Sequence, residues 1–324
     1  MKVNRSGRLQ PGDAALGYIE DHVVSRYSRV KIDQYGLFNI DSSLFTPDHW
    51  VLLAEKIEEL YLEYDGFIVI HGTDTLAYSA AALSFMLKGL AKPVVFTGSQ
   101  LPVFEIRTDA FSNLHSSIKV VLEGNLHEVA VVFNNRVYRG NRVKKRDVWD
   151  FNAFYSPNYG VLIRLGIGLE KNESLFLPYP KVPFEVDTRI CRSIAVISFF
   201  PGLDLSLYIP LIADNRIKGI VIEAYGSGNI PSGDGALDVF FKKTSESRIP
   251  VAVCSQAPVG EVDFELYEAA ENASFYGLIS AGDMTKEASL VKLMIGLGRH
   301  EEMEDVKSFM LEDISGEREA HPHQ

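Results

Sequence analysis

Cysteine is scarce in this chain: Cys191 and Cys254 are the only two among 324 residues. Two thiols cannot build the disulfide framework of a small secreted scaffold, and their spacing matches no zinc pattern. They read as small buried residues near strands in a reducing compartment. Basic charge is also short. Lys and Arg total 32 against 43 Asp and Glu, a net charge of −11. That balance argues against nucleic acid or an anionic membrane as the main partner. Lys144-Lys145-Arg146 is the one compact basic run. No apolar run nears the ~20 residues of a membrane span. Met1 to Gly7 contains no hydrophobic signal region. The chain therefore reads as cytoplasmic. The eight histidines include no pair at helical ligand spacing, and His321 and His323 fall in a polar tail read as solvated. No metal and no cofactor is expected.

What is present is apolar substance, 46% of the residues, enough for two sizeable cores. Strand and helix signals alternate. Phe67–Ile70, Val94–Thr97 and Val129–Phe133 are short apolar runs. Amphipathic stretches predict helices over Trp50–Tyr64, 76–90 and about Ala110–Leu122, with Thr46-Pro47-Asp48 as a helix start. Pro178, Pro180 and Pro183 crowd a looser stretch that suits an extended connection. Alternation then resumes with strands at Ile194–Phe199, Ile217–Ala224 and Val251–Cys254, and helices near 205, 285–297 and 302–312. Glu317 to Gln324 reads as frayed. The fold class is α/β: two domains, each a mainly parallel sheet with flanking helices. The expected division is 1–177, a linker 178–190, and 191–324.

One polar cluster stands out. His71-Gly72-Thr73-Asp74-Thr75 lies between the strand 67–70 and the next helix. In an open α/β sheet, ligands bind at the carboxyl ends of strands, and helix N-termini favour anions. Thr75 or Asp74 acting simply as a helix cap is the plain alternative.

Together with Thr97-Gly98-Ser99-Gln100, this pentapeptide resembles the bacterial-type L-asparaginase family, especially its cytoplasmic type I branch. Asp109 and Asn113-Leu114 match that pattern loosely. Arg139-Gly140-Asn141-Arg142, Phe154, Ser156-Pro157-Asn158, Gly226-Ser227-Gly228-Asn229 and Gly282-Asp283-Met284-Thr285 extend the resemblance over nearly the whole chain. It implies the asparaginase/glutaminase-like fold and hydrolysis of L-asparagine to L-aspartate and ammonia through a threonine ester. It also implies a homodimer or homotetramer.

By this resemblance Thr73, Asp74 and Lys145 form one of two catalytic groups. Lys145, rather than Lys144, falls on the family lysine counting back from Phe154. Without the resemblance both lysines read as solvated loop residues. Asp74 is implied to hold the substrate's α-ammonium. Asp41-Ser42-Ser43 resembles the segment whose serine hydroxyl and N–H groups hold the α-carboxylate. Ser99 and Gln100 are implied to surround the scissile amide, and Asn229 to lie near the site across a subunit contact. Tyr267–Ser274 does not match the acidic residue that some members contribute from a neighbour.

The family also opens with a strand and turn reading TGGTIG, whose second threonine is the acyl-accepting nucleophile of the other catalytic group. Lys2 to Gly7 resembles the segment directly after that motif. Met1 is accordingly read as a Met internal to the pattern, with one strand and its turn, roughly 10–20 residues, expected upstream. The tyrosine assisting the nucleophile falls on Arg8 or Leu9, and Tyr18 is the nearest tyrosine. The alternatives are an amino-acid-binding paralogue and the glutaminase-like subunit of a tRNA-dependent amidotransferase.

Overall fold

In the computed structural model, residues 2–3, 9–10, 15–230, 235–264 and 276–319 are described. Arg8, the Tyr267–Ser274 stretch and the His321/His323 tail lie outside them. The chain divides into two compact units, Met1–Val186 and Asp187–Gln324.

The first unit is organised on a six-stranded sheet: β1 (Phe67–Ile70), β2 (Val94–Thr97), β3 (Val129–Phe133), β4 (Arg136–Arg139), β5 (Ile163–Leu165) and β6 (Leu169–Lys171). The spatial order runs from β6 through to β1 without a jump. β1, β2 and β3 pair in parallel, and helices Leu76–Met86 and Ala110–Glu123 join them. Every residue of β2 and β3 is buried, as their unbroken apolar sequences require of strands covered on both faces. The remaining strands pair antiparallel. The reversal after β3 is made by Asn134 and Asn135, both with positive φ (47° and 58°). Such a two-residue turn matches the right-handed twist of its flanking strands. This hairpin lies outside the sequence expectation; its turn is open to an Asn-Asn pair because asparagine tolerates positive φ.

Two helices end earlier than expected. The first begins at Pro47, as Thr46-Pro47-Asp48 predicts, after a capping box on Thr46 and His49, but ends at Leu60 rather than Tyr64. It buries Trp50, Leu53, Ala54, Ile57 and Leu60, one stripe at helical spacing. The second ends at Met86 rather than 90. Leu87–Lys88 leaves the helix to pair antiparallel with Glu185–Val186. Gly89 then turns with φ +62°, where a Cβ would meet the Pro183 carbonyl at 2.4 Å. The end of the proline-bearing stretch is therefore a paired strand of the first unit.

The second unit is a four-stranded, wholly parallel sheet in sequence order: β7 (Ile194–Ser198), β8 (Gly219–Ala224), β9 (Val251–Ser255) and β10 (Ile279–Ser280). Its core joins Ile220, Ile222, Val251 and Val253 to Phe240 and Phe241 of helix Gly235–Glu246. Helices Lys286–Arg299 and Met303–Leu311 come after the last strand. Cys254 is buried in β9, Cys191 is half-buried, and neither forms a disulfide.

The expectation of fraying from Glu317 is corrected at its start, and residues 320–324 lie outside those described. Glu317 and Arg318 are buried. The Glu317 carboxylate pairs with buried Lys292 and accepts the Ile314 and Ser315 N–H groups. A polar segment is held inside because its charge and its backbone donors are matched there.

Candidate active site

The site begins where β1 stops. The His71 N–H donates to the Thr97 carbonyl (2.8 Å), so pairing with β2 continues one residue past Ile70. Gly72 is next, and a Cβ there would lie 2.6 Å from Ser42 Oγ. Glycine thus admits the Ser42 hydroxyl to the face of the turn. Thr73 and Asp74 come after it, then helix Leu76–Met86. The capping alternative does not hold. Thr75 occupies the cap position without a side-chain cap bond, because its hydroxyl donates to the Ser42 carbonyl (2.7 Å). Asp74 turns its carboxylate to Lys145.

Lys145 is not a solvated loop residue. Lys144–Lys145 pairs antiparallel with Phe154–Tyr155, and Lys145 stands opposite Phe154. Phe154 is buried against Phe133 of β3, ring centroids 4.9 Å apart. The lysine is thereby anchored to the sheet. Its Nζ donates to Thr73 Oγ1 at 2.8 Å and to Asp74 Oδ1 at 2.7 Å. The lysine side chain is 18% exposed and the aspartate 64%. A cation therefore touches a hydroxyl and a carboxylate at once, and much of the carboxylate faces solvent. This arrangement can stabilise an alkoxide or relay a proton at Thr73, while Asp74 keeps room for a second cation.

Asp41, Ser42 and Ser43 lie around a single 3-10 turn, Ser42–Leu44. Asp41 caps it, accepting the Ser43 N–H at 2.8 Å. That bond holds the Asp41 carboxyl below its ordinary pKa. Ser42 is buried and Ser43 exposed. Ser42 is thus the member of the trio placed on the turn. Ser99 and Gln100 come just past Gly98, the first residue after β2. The backbone N–H groups of Gln100 and Leu101 donate to the Asp109 carboxylate (3.0 and 3.1 Å). The Gln100 side chain donates to the Asp150 carbonyl (3.1 Å) and the Asp147 carbonyl (3.4 Å). Its amide is engaged with the loop after Lys145. Asn229 belongs to the second unit, exposed in the turn after β8.

The family profile "Asparaginase, N-terminal" matches residues 2–176, and "Glutaminase/Asparaginase C-terminal domain" matches 193–310. The chain belongs to the asparaginase family. It is 36% identical over 278 residues to L-asparaginase 1 of Escherichia coli K12, covering 86% of this chain and 82% of that one. It is also 36% identical over 285 residues to an L-asparaginase of Dirofilaria immitis, where it spans about half (47%) of the relative's length. The solved thermostable L-asparaginase of Thermococcus kodakarensis superposes with TM-score 0.89 at 32% identity. That superposition covers 99% of this chain and 96% of the other.

Within this asparaginase fold, several residues around the site have partners that the sequence does not announce. His71 is buried, and burial lowers its pKa below the ordinary 6.5. It bonds Ser79 (3.0 Å), which accepts Trp50 Nε1–H (2.9 Å). Asn113, in sequence only a loose family match, is buried. It donates to the Gly98 carbonyl (2.9 Å) and to Asp109 (3.0 Å), and it accepts the Asn134 N–H (3.0 Å). Asp109 and Asn113 thus hold the Gly98–Leu101 backbone beside the turn. Tyr18 stacks on His22 at 3.9 Å between centroids, and its edge meets Phe104 at 5.0 Å.

Proposed function

We propose that this chain hydrolyses L-asparagine to L-aspartate and ammonia by acyl transfer through a threonine ester. The observation that carries the reading is the contact of Lys145 Nζ with both Thr73 Oγ1 and Asp74 Oδ1. In this reading the exposed side of the Asp74 carboxylate holds the α-ammonium. The Ser42 hydroxyl and neighbouring N–H groups hold the α-carboxylate. Recognising both charged ends selects a free amino acid, because leaving such groups unpaired is costly. Attack of a threonine hydroxyl on the side-chain amide carbon expels ammonia, which carries off the hydroxyl proton. Water then cleaves the ester to L-aspartate. Lys145, through its contact with Thr73 Oγ1, relays a proton or holds the water that cleaves the ester, and N–H groups of the strand-to-helix turn stabilise the oxyanion. No cofactor or metal enters these steps.

Among the described residues β1 is paired on one flank only. Yet its sequence, Phe-Ile-Val-Ile, is that of an interior strand, and Ile70 is 54% exposed. An open apolar edge is a site for strand addition. Asn229 is proposed to approach a site from a neighbouring subunit of a homodimer or homotetramer, and the protein is proposed to act in the cytoplasm.

The test is ammonia release from L-asparagine by the protein purified from its native cell, with its intact mass. Stoichiometric release of ammonia and aspartate supports the reading. A mass of 36.1 kDa, asparagine binding and no ammonia would replace it with an amino-acid-binding role.

A further inference from the structure

The hydrogen bonds around His71 form a chain with one direction. Trp50 Nε1–H can only donate, and it donates to Ser79 Oγ at 2.9 Å. The Gly72 carbonyl can only accept, and it stands 2.7 Å from His71 Nδ1. Nδ1 must therefore carry the proton, which leaves Nε2 as an acceptor 3.0 Å from Ser79 Oγ. The Ser79 hydroxyl proton completes the chain: Trp50 to Ser79 to His71 to the Gly72 carbonyl. Trp50, Ser79 and His71 are all buried. The imidazole is held in its orientation by Phe45, with ring centroids 4.5 Å apart. The neutral ring satisfies every member. A protonated ring would aim a second donor at Ser79 Oγ, which already receives one.

The last acceptor is the important one. The Gly72 carbonyl belongs to the same planar, trans peptide as the Thr73 N–H, and the two point in opposite directions. Drawing the carbonyl toward the buried ring turns the Thr73 N–H away from it. We propose that His71 is a positioning residue that sets this peptide plane, so that the Thr73 N–H is the turn's donor to the substrate's amide oxygen. The kinetic part of this inference rests on the amidase reading above. The placement of the proton does not.

Two measurements test it. Long-range nitrogen–proton NMR on the unaltered, substrate-free chain reads the tautomer. A neutral imidazole with its proton on Nδ1 is expected, and a proton on Nε2 overturns the proposal. The second measurement compares His71→Leu with His71→Asn, whose side-chain amide can still donate from near the Nδ1 position. His71→Leu should lower kcat about a hundredfold with little change in KM, the scale of losing one oxyanion donor. His71→Asn should recover most of that loss. Equal kcat values for the two variants would overturn the role. If His71→Leu does not fold, the tautomer and the His71→Asn rate decide the matter. Absence of turnover in the unaltered chain would count against the amidase reading alone, with the NMR result still deciding the position of the proton.

Discussion

Two lysine–carboxylate pairs, one in each unit, show what separates a reactive pair from a structural one. Lys145 and Asp74 meet at the end of β1 with the aspartate 64% exposed. Lys292 and Glu317 meet in the second unit with both side chains at 0%. The buried pair is saturated. Lys292 also donates to the Met310 and Glu312 carbonyls, and Glu317 also accepts two backbone N–H groups. Burial pushes the Lys292 pKa down against the pull of Glu317. Nothing there is left to offer a ligand. The exposed pair adds a hydroxyl, Thr73, and keeps carboxylate surface open. Burial and saturation make an ion pair a strut, while exposure and a shared third group make it a tool.

The sharpest way to break this contrast is to remove each lysine. Lys145→Ala should reduce asparagine turnover about a thousandfold, the usual scale of a lost acid–base group. Its unfolding free energy should move by no more than about 1 kcal/mol, since a pair whose carboxylate faces solvent contributes little. Steady-state kinetics and urea unfolding on the same preparation check both halves. Lys292→Ala should do the reverse. It should cost about 3–5 kcal/mol of stability by leaving Glu317 buried without its cation. The double change Lys292→Met with Glu317→Leu should recover only part of that loss, because it leaves the Ile314 and Ser315 N–H groups without their acceptor. A double variant no more stable than Lys292→Ala would mean that the pair does more than neutralise itself.

Asp187 sharpens the comparison as an intermediate case. It is buried between exposed Arg189 (2.8 Å) and buried Arg299 (2.9 Å). Burial raises its pKa, but the Arg189 hydrogen bond and the Arg299 charge pull harder, to about 2. The unfolded chain takes up that proton more readily, near the ordinary pKa of about 3.9. The stabilisation is therefore complete above about pH 4 and is lost as pH falls toward 2, roughly 2–3 kcal/mol in all. Unfolding free energies measured across that range should flatten in Asp187→Asn. The smallest effect expected concerns a second threonine at a helix start. Thr285 accepts the Ala288 N–H at 3.1 Å, the capping role that Thr75 does not take. Thr285→Ala should cost about 1 kcal/mol, read as a shift in the urea midpoint.

Much of the first unit is legible in the sequence because its signals are local. The limits of β1, β2 and β3 coincide with their apolar runs, and the helix after Thr46-Pro47 begins at its cap. Helix 76–86 stops short of its apolar pattern because Leu87 and Lys88 answer to Glu185 and Val186, nearly a hundred residues away in sequence. The site is legible in part. The turn at 71–75 stands out from its place between strand and helix, whereas Lys145 is marked by the family resemblance and not by any local pattern. His71 belongs to that turn, but nothing in the sequence marks Ser79 and Trp50 as its partners. Gln100 reads in sequence as part of the substrate's surroundings, but its amide serves the loop after Lys145.

By itself the sequence determined the alternation of strands and helices, the two-domain class and the polar turn after β1. These depend on spacing among near neighbours, and a strand or helix samples only those. The tertiary structure alone decided which polar groups meet. Lys145 reaches Thr73 across 72 positions of chain because the strand carrying it pairs with Phe154, and Phe154 is buried on β3. Glu317 stays inside because Lys292 and two backbone donors await it there. Pairings of this kind are set by how packed elements converge, and no window of residues along the chain records that convergence.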